Sequence, residues 1–153
     1  MLAVASCQPA PQIGYNTRRD RKPQPDTIAG LLAAAERPVL VLGTDVWADR
    51  AEEAALRFVE ATGIPTLTNG MGRGLVPGGH PLLVTKARGQ ALGGADVVVV
   101  VGTPLDFRLG YGVFGGKDGA PAARVVHVAD SPAQLSGHAE LAASVSGDLT
   151  SVL

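Results

Sequence analysis

Gly70, Gly72 and Gly74 fall at alternate positions in the stretch NGMGRG, directly after an apolar run, and the cations Lys86 and Arg88 follow beyond a Gly-Gly-His-Pro turn. Glycine alone reaches positive φ without steric cost, so such a loop can bring backbone N–H groups close to a ligand. Arg88 lies near the start of a short helix expected over residues 85–94, where a guanidinium and helix amides can share a pyrophosphate. Asp106 and Asp130 each stand just past a further apolar run, the place from which a carboxylate accepts ribose hydroxyls in dinucleotide folds. These residue types are suited to holding a molecule that carries phosphate and ribose. Each also has a plainer reading: the glycines as turn residues, Arg88 as a solvated helix charge, Asp106 and Asp130 as turn or helix caps.

Arrangements for other chemistry are missing. NGMGRG is neither the G-x-G-x-x-G fingerprint nor a Walker A loop. His80 reads as a turn residue before Pro81 and His127 as a core residue among valines, with no nucleophile or carboxylate spaced to work with either. No Ser-His-Asp set, carboxylate pair or metal-ligand spacing stands out, so no catalytic or metal-ligating residue is assigned. The net charge of −1 gives no global reason to bind nucleic acid or an acidic membrane surface.

The elements that must position these residues alternate strand and helix. Asp26 can cap a helix over 27–36, and PVLVLG at 38–43 is a strand apolar on both faces, which belongs in the middle of a parallel sheet. A helix opened by Asp49 and ended by Gly63 leads to a strand at 64–67, completing a β-α-β unit. Further strands are expected at 82–84, 96–101, 124–128 and 141–145, with helices over 85–94, 132–138 and from 147 onward. Six strands alternating with helices make an open, doubly wound α/β sheet, a Rossmann-like architecture with helices on both faces. In such sheets ligands bind beyond the carboxyl ends of the strands, and the loops there are 43–45, 68–74, 102–108 and 129–131.

The 153 residues suffice for one domain with its own core, expected over 26–153. Residues 1–25, rich in Pro, Gln and Arg, lack an apolar period and read as a linker or mobile arm. Met1 to Cys7 loosely resembles a lipoprotein cleavage site, but it lacks a basic start and its apolar stretch is short. The single cysteine cannot form an internal disulfide, and the longest apolar run, Val97–Val101, is far too short to span a membrane. The expectation is a soluble, cytoplasmic protein.

The order PVLVLG, GIPTLTNGMGRGLVPGGHPLL, ADVVVVVGTPLDFRLGYG, ARVVHVADSP and a closing SGD resembles the central domain of thiamine-diphosphate-dependent enzymes, the acetolactate synthase group in particular. The resemblance runs from about Asp26 to Leu153. It implies a sheet in the order 3-2-1-4-5-6 lying between a pyrimidine-binding and a pyrophosphate-binding domain, which together hold thiamine diphosphate and magnesium. The catalytic glutamate and the GDG metal motif belong to those domains, so this chain alone is expected to be inactive, and the whole enzyme a homo-oligomer.

By the same resemblance this domain binds FAD, as in acetolactate synthases, or ADP, as in oxalyl-CoA decarboxylases. The positions that align with that site are Gly43, Thr44, Gly70, Met71, Gly72, Arg88, Gly102, Thr103, Asp106, Asp130 and Ser131. Three departures stand out. Pro104 occupies the place of an arginine that meets the flavin in FAD-bearing members. LDFRLGYG at 105–112 is closer to the pattern of oxalyl-CoA decarboxylase and 2-hydroxyacyl-CoA lyase, and Ala129-Asp130-Ser131-Pro132 replaces D-I-D-P. The resemblance therefore implies either a synthase domain serving the condensation of 2-keto acids such as pyruvate in branched-chain amino acid synthesis, or a domain binding ADP or CoA. A non-catalytic structural or nucleotide-sensing domain is the alternative from another class.

Overall fold

Five apolar runs form five parallel strands: β1 (Pro38–Leu42), β2 (Thr66–Thr68), β3 (Val97–Val101), β4 (Arg124–Ala129) and β5 (Ala143–Ser146), in the order β2-β1-β3-β4-β5. The structure is a computed structural model and describes residues 25–153; the expected arm lies outside the described residues apart from Pro25, which opens the first helix. Helices are α1 (Pro25–Ala33), α2 (Thr44–Ala48), α3 (Glu52–Thr62), α4 (Arg88–Gly94) and α5 (Leu149–Val152).

Both faces of the sheet are covered, which is why its strands are apolar at consecutive positions. Leu40, Leu42, Val99, Val101, Val126 and Val128 point to one face and pack with Ile28 of α1, Val59 of α3 and Leu149 of α5. Val39, Val41, Val98, Val100 and Val125 point to the other, against Leu92 of α4 and the loop residues Leu105, Leu109 and Phe114. All five valines of β3 are buried, as befits the central strand.

The sheet has five strands and not six. The strand expected at 82–84 is a single parallel bridge between Leu83 and Thr66, made by Thr66 N donating to Leu82 O (2.7 Å) and Val84 N donating to Thr66 O (2.9 Å). Pro81 has no N–H to extend the ladder, and a turn in which Leu83 N donates to His80 O (3.0 Å) bends the segment at once. The remaining strands keep their expected neighbours, with the bridge at the β2 edge.

Helix boundaries move for local reasons. The helix expected from Asp49 begins at Glu52 and is preceded by a separate short helix, α2, because Arg50 takes a left-handed φ of 56° between the two and Ala51 N donates to Val46 O (2.9 Å). α3 then begins with Glu52 and Glu53 at its positive end and closes on Gly63 at φ 67°. The helix expected over 132–138 is one 3₁₀ turn, Pro132–Gln134. No helix among the described residues is long and apolar enough to cross a membrane.

Asp96 fixes the entry to the sheet. Its carboxylate accepts from the backbone N–H groups of Glu36 (2.8 Å) and Arg37 (3.0 Å), tying the turn after α1 to the start of β3. Burial opposes its ionisation, but the backbone donors of Glu36, Arg37, Asp96 and Val97 outweigh it and hold its pKa below the ordinary carboxylate value. Asp96→Ala is expected to cost about 1 kcal/mol at pH 7 in urea unfolding. A lowered native pKa gives stability that is present above the unfolded value of ~3.9 and is lost as pH falls through the native value. The difference from wild type should therefore shrink at pH 3, and an undiminished difference would assign the loss to something other than the carboxylate.

Candidate functional site

The strand order reverses between β1 and β3, since β1 leads to β2 on one side while β3 lies on the other. In open parallel sheets this switch point leaves a crevice at the carboxyl ends of the strands. The two chain exits there are nearly in contact. Gly43 N donates to Val101 O (2.8 Å), Gly102 N to Val128 O (2.9 Å) and Asp45 N to Gly102 O (2.9 Å). A Cβ on Gly43 would lie 2.3 Å from Thr103 Cβ and 2.4 Å from Gly102 O. Gly102 has φ 62°, and a Cβ on it would meet Val46 N at 2.9 Å. The floor of the crevice thus requires bare backbone on both strands.

The loop after β2 closes one side. Gly70, Met71 and Gly72 form a 3₁₀ turn, and Thr44 Oγ1 accepts from Met71 N–H at 3.2 Å, so Thr44 fastens this loop to α2. Asn69 is buried beneath it, donating from its backbone to Leu42 O (2.8 Å) and from Nδ2 to Thr103 Oγ1 (3.3 Å). The Thr103 hydroxyl therefore serves the wall.

Arg88 is the first residue of α4, which begins at residue 88 where 85 was expected. Because Leu83 pairs in parallel with Thr66, the chain leaves that bridge at the carboxyl edge, and Arg88 stands on that edge. Burial lowers its pKa and the cation of Arg73, just past the glycine turn, lowers it further. Neither arginine has a carboxylate partner among the described residues.

Acidic groups occupy the β1 and β4 exits. Burial, then the charges of Asp130 and Asp49, push the Asp45 carboxyl above its ordinary pKa. Asp130 Oδ1 is inaccessible to solvent and has no hydrogen-bond partner among the described residues. A carboxylate oxygen in that state calls for a donor. Ser131 follows, half-buried, and its hydroxyl makes no cap bond to the turn it precedes.

Asp106 differs from the others. Its carboxylate caps the turn Phe107–Gly112, accepting from Arg108 N (2.9 Å), and it pairs with the Arg108 guanidinium, whose Nε donates to Oδ2 at 3.0 Å. The side-chain bond to Arg108 holds its pKa below the ordinary value. Its acceptor capacity is directed at Arg108, as the cap reading of the sequence had it.

The structure thus gathers Gly43, Thr44, Gly70, Met71, Gly72, Gly102, Thr103, Asp130 and Ser131 on one sheet edge, with Arg88 at its β2 end. It adds Asp45, Asn69 and Arg73, each adjacent to a residue the sequence had marked. The signal for them was position in the same loops; their partners come from distant parts of the chain. A cleft of about 600 Å³ lined by Pro38, Ile64 and Gly94 lies at the opposite edge, where Arg37 is committed to Gly94 O (2.8 Å). No group of three or more His, Cys, Asp or Glu side chains among the described residues is placed to hold a metal ion.

Fold and edge together define an open, doubly wound α/β domain with a crevice at the switch point of its sheet. The chain belongs to the thiamine pyrophosphate enzymes: residues 26–153 match the family model described as thiamine pyrophosphate enzyme, central domain. It is 48% identical over 128 residues to the acetolactate synthase large subunit of Mycobacterium tuberculosis, covering 84% of this chain and 23% of that protein. It is 48% identical over 84 residues to the 2-hydroxyacyl-CoA lyase of Oryza sativa subsp. japonica, covering 55% and 15%. With the oxalyl-CoA decarboxylase of Escherichia coli it shares 35% over 121 residues, covering 79% and 21%. The chain spans less than a quarter of the length of these curated relatives.

Proposed function

We propose that this chain is the adenine-nucleotide-binding central domain of an acetolactate-synthase-like enzyme. The observation that carries the nucleotide reading is the division of charge along the crevice. Arg88, with Arg73 near it and no carboxylate partner among the described residues, suits a pyrophosphate, and Asp130, whose Oδ1 has no hydrogen-bond partner among them, suits ribose hydroxyls. The bare floor at Gly43 and Gly102 lets a flat or extended ligand lie against backbone. These residues fit FAD or ADP, which supplies no group to the reaction from here and serves as a structural cofactor.

The whole enzyme would decarboxylate a 2-keto acid such as pyruvate and join the remainder to a second one. Flanking domains of the same protein would hold the thiamine diphosphate and magnesium, in a cytoplasmic homo-oligomer. The match of residues 26–153 to the family's central domain and the 48% identity over 128 residues to an acetolactate synthase large subunit support this assignment.

Pro104 supports a second reading. It is exposed at the β3 exit and offers neither a charge nor an N–H to a flavin. With LDFRLGYG behind it, a domain of a 2-hydroxyacyl-CoA lyase or oxalyl-CoA decarboxylase that takes ADP or CoA is the alternative.

Calorimetric titration of the 153-residue chain with FAD, ADP and CoA separates the readings. FAD binding without a response to ADP or CoA supports the synthase, and the reverse supports the CoA enzymes. Silence from all three supports a purely structural domain. Arg88→Ala is expected to weaken the responding nucleotide roughly tenfold or more, the scale of a charge-assisted bond to phosphate. An unchanged affinity would remove Arg88 from the site. Acetolactate formation by this chain with thiamine diphosphate and magnesium would contradict its role as a central domain.

A further inference from the structure

Two large apolar side chains beside the crevice are exposed without internal packing to explain it: Trp47 at 50% and Met71 at 54%. They are brought together by α2. Thr44 and Trp47 are three residues apart and share a face of that helix, while Val46 turns inward and is fully buried. Thr44 in turn accepts from Met71 N–H, so the face that carries Trp47 is the one fastened to the glycine turn. α2 stops just after Trp47 at Ala48, and Arg50 beyond it takes a left-handed backbone conformation. Trp47 and Met71 therefore stand, both exposed, on the two elements that follow β1 and β2 at the carboxyl edge of the sheet, α2 and the glycine turn.

We infer that Trp47, flanked by Met71, is the stacking platform for the planar heteroaromatic ring of the bound nucleotide. This rests on the nucleotide reading of the crevice given above. Arg88 and Asp130 account for phosphate and ribose but leave the ring without a partner, and an exposed indole at the crevice mouth supplies one. A stacked ring and indole cover each other's apolar faces, and sulfur packs favourably at a ring edge. The ring is adenine if the ligand is ADP; FAD offers adenine or isoalloxazine.

The chain has one tryptophan, so its fluorescence reports on this position alone. Calorimetry with ADP, FMN and FAD is run on the same samples as fluorescence and acrylamide quenching. The expected result is ligand-dependent quenching, with protection from acrylamide, by whichever of ADP and FMN binds. Trp47→Ala should weaken that ligand roughly tenfold, the scale of base stacking on an aromatic side chain, whereas Trp47→Phe should stay within about threefold of wild type.

Binding heat without a fluorescence change, or Trp47→Ala within twofold of wild type, overturns the platform and leaves the nucleotide reading intact. The same holds if Trp47→Phe binds as weakly as Trp47→Ala, since that is the behaviour of a residue needed only for local shape. If none of the three nucleotides gives binding heat, both the platform and the nucleotide reading fall.

Discussion

Replacing Gly43 by alanine is expected to cost about 2–4 kcal/mol of folding stability, a large fraction of what a domain this size has. Backbone conformation is not the obstacle, because Gly43 sits at φ −116°, which alanine adopts freely. Space is. The added methyl would lie 2.3 Å from Thr103 Cβ and 2.4 Å from the Gly102 carbonyl oxygen, and neither can swing away. Gly102 is held by Asp45 N and by Val128 O, and Thr103 by Asn69, so the clash must be relieved by parting β1 from β3 at their carboxyl ends. Gly30→Ala is the control: nothing lies within 4 Å of its Cβ position, and in the exposed interior of α1 alanine should stabilise by about 0.5–1 kcal/mol. Urea unfolding of the two variants reads both effects. A loss under 1 kcal/mol for Gly43→Ala would mean that the crevice floor is soft.

That close approach explains what the sequence could and could not reveal. A strand buried on both faces announces itself by a run rich in β-branched residues, so Val97–Val101 and Arg124–Ala129, with three valines in the latter, were legible with their parallel pairing. Leu82 to Val84 has the same apolar character but only one residue in the ladder, because Pro81 and the turn before it limit pairing, and composition does not report that. α2 was overlooked because five residues carry too little period, and because its end depends on Arg50 adopting a conformation usually left to glycine. Among the site residues, loop position was readable and engagement was not. Asp106 and Asp130 follow strands in the same way, yet Asp106 meets an arginine two residues on while Asp130 faces Asp45 from another strand exit. The same limit applied to His127, recognised as a core residue without any sign of what its ring does.

His127→Phe is expected to cost about 2–4 kcal/mol and to flatten the pH dependence of stability below pH ~6.5. The ring is 1% exposed and its two nitrogens have opposite roles. Ser136 N–H donates to Nδ1 (3.1 Å), so Nε2 carries the proton and donates to Thr103 O (3.1 Å). His138 Nε2 likewise donates to Leu105 O (2.8 Å), and the two imidazoles hold the β3 exit on either side of Pro104, which has no N–H of its own. Phenylalanine would keep the bulk and leave the Ser136 N–H and Thr103 carbonyl unpaired in the interior. A second proton on His127 would do similar damage, because Nδ1–H would face an amide donor.

Burial pushes the His127 pKa below its ordinary value, the Thr103 carbonyl opposes this, and His138 adds to it; the net direction is down. Between that lowered value and the unfolded value near 6.5, the unfolded chain binds the proton and the native chain does not. Stability is therefore full above pH ~6.5 and falls as pH drops toward the native pKa, by at most about 1.4 kcal/mol per pH unit. Urea unfolding at a series of pH values should show this fall in wild type and a shallower one in His127→Phe. Parallel profiles would mean that His127 accepts its second proton in the folded protein without losing Ser136. Because the same ring holds the Thr103 carbonyl at the crevice wall, affinity for the proposed nucleotide should weaken over the same pH range in which stability is lost.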